Sequence, residues 1–250
     1  MRYFLHFAYN GSSFHGWQKQ PNATSIQEEV QKALCFMLKE KKEVIGCGRT
    51  DTGVHARDFY AHFDHIELSN EDLEMLTQKL NGYFHSEIRF FNILRVKDEA
   101  SARFCAISRT YQYFVANQKQ PFNNDFSLYY PHALDIETMN VCASLLMKYT
   151  DFTSFAKLHA QTTTNLCTVS ECFWRAEGEY LVFTISANRF LRNMVRSVVG
   201  TLLDVGKGKL TKEEFTAIIE GKSRSLASSS ADAKALFLTK VEYPQNIFLS

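Results

Sequence analysis

No stretch of this chain approaches the roughly 20 consecutive apolar residues that cross a bilayer as a helix. The opening MRYFLHFAYN also lacks the charged start, apolar stretch and small-residue cleavage site of an export signal. A cytoplasmic protein with no membrane association is therefore expected. Cysteine is present but unpatterned. Cys35, Cys47, Cys105, Cys142, Cys167 and Cys172 form no CxxC pair, which argues against a disulfide framework and for free thiols in a reducing compartment. His55, His62 and His65 are spaced too loosely to define a metal site. An excess of one charge is missing as well. The net charge is +1, with 13 basic and 14 acidic side chains in residues 1–105 and 15 and 13 in residues 106–250. Any site for a polyanion must then be a local cluster. No low-complexity linker divides the 250 residues, so a boundary near residue 105 would be a packed junction rather than a tether.

What is there alternates between strand and helix. RYFLHFAY reads as a strand, and the turn-rich NGSSFHGWQKQPNAT follows, broken by Gly11, Gly16 and Pro21. Ser25 stands three residues before Glu28, the spacing of a helix start, and Ile26, Val30, Ala33, Leu34 and Met37 trace one apolar face. Strands are expected near 43–48, 58–64 and 87–97, with a helix from Asn70 to Leu80. In the second half the pattern predicts strands near 109–116, 168–175, 179–186 and 236–243, and helices near 135–147, 190–204 and 211–220. The expected architecture is α+β, with sheet from both halves.

Three segments carry chemistry. In GCGRTDTGVHARD, residues 46–58, Gly46, Gly48 and Gly53 bracket a single carboxylate, Asp51. Glycine permits positive φ and close approach, so such a loop can press Asp51 against a ligand. Arg49, two residues away, lies on the same side if the loop is extended, and a nearby cation favours the ionised carboxylate that a nucleophile needs. An ordinary Asp/Thr turn would look similar. On the predicted 190–204 helix, Arg189, Arg192 and Arg196 are spaced three and four apart and would share a face; they would meet phosphates, an acidic residue, or only solvent. In SRTYQYF, Arg109, Tyr111 and Tyr113 alternate along a strand and share a face that could stack on an extruded base or pack under a helix. FHGWQ, residues 14–18, is equally open: Trp17 could be core, and His15 and Gln18 could face a ligand.

Taken together, and over nearly its whole length, the chain resembles the bacterial tRNA pseudouridine synthases of the TruA type. FHGWQ and the Ser25-Ile26-Gln27 helix start resemble that family's opening, and GRTDTGVHA resembles its signature. RTYQY, DFTSF at 151–155 and NRFLRNMVRSVVG at 188–200 follow in the family's order. The resemblance implies a pseudouridine-synthase fold: two ferredoxin-like α/β halves, 1–105 and 106–250, forming one long, mainly antiparallel sheet with a central active-site cleft. It implies isomerisation of uridine to pseudouridine at positions 38–40 of the tRNA anticodon stem-loop by a homodimer. It places the catalytic role on Asp51 as nucleophile, with Arg196 as its ion-pair partner. Arg49 would enter the space of the flipped base, and Tyr111 would stack on the uracil and take part in the final proton transfer. Leu236 would pack against the uracil, and Arg57, Arg189, Arg192 and Gln18 would contact substrate. No nucleotide, metal or organic cofactor is expected, in keeping with the missing phosphate-loop pattern.

The sequence departs from the family in two places. In SADAKALFL, residues 230–238, Ala235 stands where a glycine is expected and proline is missing. TNLCTV, residues 164–169, lacks a basic residue. Two other classes remain open on the residues alone. One is a non-catalytic tRNA-binding protein on the same fold. The other is an Asp-nucleophile hydrolase that would recruit Asp58 or His55 as a second acid or base.

Overall fold

The computed structural model describes residues 1–157 and 163–249, among which lie nine strands and five α-helices. No helix there is long and apolar enough to cross a membrane, and all six cysteines are free. The chain divides into two compact units, Met1–Ser108 with Leu238–Ser250, and Arg109–Phe237.

The first unit is built on β1 (Arg2–Tyr9), whose alternation puts Tyr3, Leu5, Phe7 and Tyr9 into the core. β1 pairs antiparallel with β3 (His55–Asp64) and with β4 (Ile88–Val96), and the two-residue β2 (Ile45–Gly46) pairs antiparallel with β3. The closing strand β9 (Leu236–Glu242) also neighbours β3. Helix α1 (Ile26–Leu38) starts where Ser25 Oγ accepts the Glu28 N–H, and it buries Ile26, Val30, Ala33 and Leu34. Helix α2 (Asn70–Tyr83) starts in a complete capping box between Ser69 and Asp72 and buries Leu73, Leu76 and Leu80. With the connection β1-α1-β2-β3-α2-β4 and the strand order β4-β1-β3-β2, this is a ferredoxin-like arrangement.

The second unit repeats that logic without repeating the sequence. Strand β5 (Ser108–Ala116) pairs antiparallel with β8 (Tyr180–Ala187), which pairs antiparallel with β7 (Val169–Glu177); a short β6 (Leu128–Tyr129) runs parallel to β5. Helix α3 (Ile136–Leu145) connects toward β7, and α4 (Met194–Gly206) and α5 (Lys212–Glu220) follow β8. The order β5-β8-β7 matches β1-β3-β2 of the first unit.

One predicted element is corrected. The helix expected over 190–204 begins four residues later. Asn193, the residue before it, has φ 66° and ψ 1°, a left-handed conformation through which a right-handed helix cannot run. α4 is also covered on nearly every side: every residue except Arg196 and Asp204 is buried. Arg189 and Arg192 therefore lie in the preceding segment, and the three-arginine helical face does not form.

On the β1 face carrying Phe4, His62 is 5% exposed and its Nδ1 accepts the Ala102 N–H at 3.1 Å. Burial, with the charge of Arg2, lowers its pKa to about 4; protonation would also destroy the acceptor. In the unfolded chain the imidazole takes a proton near pH 6.5. The contribution of neutral His62 is therefore complete above pH 6.5 and is lost as pH falls from there toward 4. Urea denaturation of wild type should show a loss of up to about 3 kcal/mol over that window, and His62→Gln should flatten it.

Candidate active site

Asp51 sits half-buried on the irregular segment between β2 and β3, and its neighbours are fixed on both sides. Before it, the Thr50 carbonyl accepts the Trp17 N–H at 3.2 Å, and Thr50 Oγ1 lies 2.9 Å from the Tyr9 hydroxyl. After it, the Val54 N–H donates to the Asp51 carbonyl at 3.1 Å. That bond closes a turn in which Gly53 has φ 78°, the sign a type II turn needs at this position. The Gly53 N–H reaches the Phe14 carbonyl at 3.4 Å. Residues 11–17 are pressed against this loop. A Cβ on Gly16, whose φ is 83°, would fall 2.4 Å from the Thr50 oxygen, and one on Gly11 would fall 2.0 Å from the Val54 oxygen. Trp17 is core, 2% exposed, its ring tilted against Phe59 with 4.5 Å between centroids and lying over Gly46.

Other first-unit residues singled out from sequence are distributed unevenly. Arg49 and Arg57 are exposed on either side of the loop. Gln18 is exposed, and its amide donates to Gln27 Oε1 at 2.9 Å. The two groups a hydrolase would have recruited are committed elsewhere. His55 is 1% exposed and its Nδ1 accepts the Gly11 N–H at 3.1 Å. Asp58 pairs with His6 Nε2 at 2.7 Å and accepts the Val241 N–H at 2.6 Å.

In the second unit, Tyr111 is half-buried with its ring edge-on to Phe190, 5.1 Å between centroids. Tyr113, two residues along, is wholly buried core. Burial raises its pKa, the Asp232 carboxylate adds to this, and the Arg196 charge opposes it. Arg109 donates to the Asn188 carbonyl at 2.8 Å. Arg196, on the first turn of α4, donates through Nε to the Ala231 carbonyl at 2.7 Å, while the Ala231 N–H returns a bond of 2.9 Å to the Arg196 carbonyl. The strap that carries Ala231 lies close along α4: a Cβ on Gly200 would meet the Ser229 oxygen at 2.0 Å. Ser230 Oγ accepts from Asn193 at 2.6 Å and from Arg224 at 3.2 Å. Beyond the strap, Asp232 caps a 3-10 turn (Ala233–Ala235) by accepting the Lys234 N–H, and Leu236 follows, 4% exposed. Ala235 is buried without a positive φ, so the backbone there has no need of glycine. Arg192 is exposed and Arg189 half-buried. Burial pushes the nearby Cys167 thiol up to about 11 against the opposing charge of Arg189, which keeps that cysteine an unreactive thiol.

The chain thus holds two ferredoxin-like units, a glycine-bracketed carboxylate loop and a half-buried arginine at a helix start. A family model described as tRNA pseudouridine synthase matches residues 149–244. The chain is 50% identical over 248 residues to a tRNA pseudouridine synthase A of Bacteroides fragilis, covering 99% of this chain and 98% of that protein. It is 50% identical over 250 residues to that of Bacteroides thetaiotaomicron (99% and 92% covered) and 47% identical over 247 residues to that of Parabacteroides distasonis (99% and 98%). The chain belongs to the tRNA pseudouridine synthase A family of isomerases.

Tyr9, Thr50, Asn193, Ser230 and Ala231, whose hydrogen bonds join the segments that carry Asp51 and Arg196, were not singled out from sequence. Gly11 and Gly16 were the available signal, since a glycine outside a turn tip marks a close approach. The loop glycines also differ among themselves. Gly46 lies under Trp17, where a Cβ would fall 2.5 Å from the indole, whereas a Cβ on Gly48 would meet no described atom within 4 Å, and Gly48 has no positive φ. Urea denaturation should therefore show Gly46→Ala losing about 1–3 kcal/mol by overpacking. Gly48→Ala should match wild type or gain up to about 1 kcal/mol, because it restricts the unfolded chain.

Proposed function

We propose that this protein converts uridine to pseudouridine at positions 38–40 of the tRNA anticodon stem-loop, with Asp51 as nucleophile. The observation that carries this is the placement of Asp51 in GRTDTGVHA. It is the one carboxylate of a rigidly held, glycine-shaped loop in a chain that aligns almost end to end with synthases of that name. In the reaction the N1–C1′ bond breaks, the uracil turns, and a C5–C1′ bond forms. The C5 proton leaves and N1 gains one, so the product is an isomer. A half-buried carboxylate suits this by adding to the sugar or base and departing again.

The remaining roles follow the same reading. Arg196 is assigned as the ion-pair partner of Asp51; the bond from its Nε to Ala231 orients the guanidinium. Tyr111 is assigned to the flipped uracil, supported by the ring of Phe190 that holds it edge-on, and it takes part in the last proton transfer. Arg49 is assigned to the gap the base leaves, and Leu236 to the uracil wall. Arg57, Arg189, Arg192 and Gln18 are assigned to the RNA. The half 1–105 supplies the Asp51 loop, and the half 106–250 supplies Tyr111 and Arg196. The working form is a homodimer in the cytoplasm, where its RNA resides.

Tritium release from anticodon stem-loop RNA labelled at uracil C5 tests the reaction. Wild type should release label and Asp51→Asn should release none while still binding RNA, because phosphate contacts dominate affinity. Bound RNA without release by wild type would instead make the protein a tRNA binder. Arg192→Ala should weaken RNA binding and reduce the slope of log Kd against log salt by about one; an unchanged slope would remove Arg192 from the RNA contacts.

A further inference from the structure

We propose that Tyr9 is a positioning residue for the reaction: its hydroxyl, acting through Thr50, fixes the Asp51 carboxylate for attack. The inference rests on Asp51 being the nucleophile. Tyr9 comes just after a register shift in the β1–β3 ladder, between Phe7 and Tyr9, and such irregularities re-aim the side chains that follow them. Its ring is immobilised by Phe59, edge-on at 5.3 Å, and by Phe7 at 6.2 Å. Only 4% of Tyr9 and 8% of Thr50 is exposed, and their hydroxyls lie 2.9 Å apart. Sequestered from water, the pair has a fixed geometry.

Thr50 is gripped twice, by this hydroxyl on its side chain and by the Trp17 N–H on its carbonyl. The second grip depends on Gly16, because a side chain there would collide with the Thr50 oxygen. Asp51, the next residue, has its own carbonyl held by Val54. The backbone on both sides of the carboxylate is thus pinned. A single-atom deletion at Tyr9 removes the hydroxyl pin while leaving the packed rings untouched. A misplacement of about 1 Å at a reacting group costs on the order of 100-fold in rate, so the pin should weigh on catalysis far more than on folding.

The test is a double-mutant cycle on the single-turnover rate with stem-loop RNA, using Tyr9→Phe, Thr50→Val and the double variant. Thr50→Ser and Asp51→Asn serve as references, with RNA Kd and melting temperature measured throughout. Tyr9→Phe and Thr50→Val should each slow the chemical step about tenfold or more, with Kd within about twofold, and the double should be no slower than the worse single. Thr50→Ser, which keeps the hydroxyl, should stay within about threefold of wild type. A Tyr9→Phe rate within about twofold of wild type would overturn the proposal, as would multiplicative losses in the double. A loss in Thr50→Ser equal to that in Thr50→Val would do the same. Should Thr50→Val fold poorly, Tyr9→Phe against Thr50→Ser decides by itself. Full activity in Asp51→Asn would instead sink the nucleophile assignment, a result distinct from any Tyr9 outcome.

Discussion

Where the carbonyl of Thr50 lies against Gly16 there is room for a hydrogen and none for a methyl. That close approach draws residues 14–18 onto the loop that carries Asp51 and seats Trp17 in the aromatic cluster with Phe7 and Phe59. It also brings backbone donors within reach of backbone acceptors on the loop. An irregular segment between two strands would ordinarily be a mobile part of a fold. Here its main-chain groups are hydrogen-bonded on both flanks of the carboxylate. Preorganisation of this kind lets a carboxylate act without first being ordered by its substrate.

The second unit reaches a similar end with different parts. Gly200 lets the Ser229 carbonyl come against the helix backbone, and the strap it admits exchanges two hydrogen bonds between Ala231 and Arg196. Arg196 is thereby oriented from its own Nε, and the helix that bears it is otherwise buried on all sides. In both units a glycine without a Cβ creates the close contact, and a backbone carbonyl uses it. Asp232 serves here as the cap of the turn leading into Leu236, so the segment keeps an ordered geometry without the proline and glycine that the family resemblance had led one to expect.

Legibility from sequence followed the locality of each signal. The start of α1 was readable because Ser25 stands three residues before Glu28 and caps its N–H; the start expected for α2 coincides with a capping box between Ser69 and Asp72. β1 was readable because RYFLHFAY is dense in aromatic and apolar residues. The start of α4 was misread because the apolar spacing of Phe190 and Leu191 continues the helical pattern, while the left-handed turn at Asn193 that interrupts it is held by a bond to Ser230, 37 residues away. Gln18 was placed at the substrate by resemblance, whereas His55 and Asp58 could be named from sequence only without a partner. Their partners, Gln27, Gly11, His6 and Val241, are chosen by packing.

The sequence by itself determined the α+β class, most element positions and Asp51 as the one carboxylate of a glycine-rich loop, because these depend on periodicity, capping and residue type within a few positions. Only the tertiary structure decided which glycines are sterically obligatory and which hydroxyl steadies Thr50. It alone decided how Arg196 is aimed and which groups His55 and Asp58 bind. Each of those depends on atoms brought within about 3 Å from distant parts of the chain, and a linear pattern carries no distances.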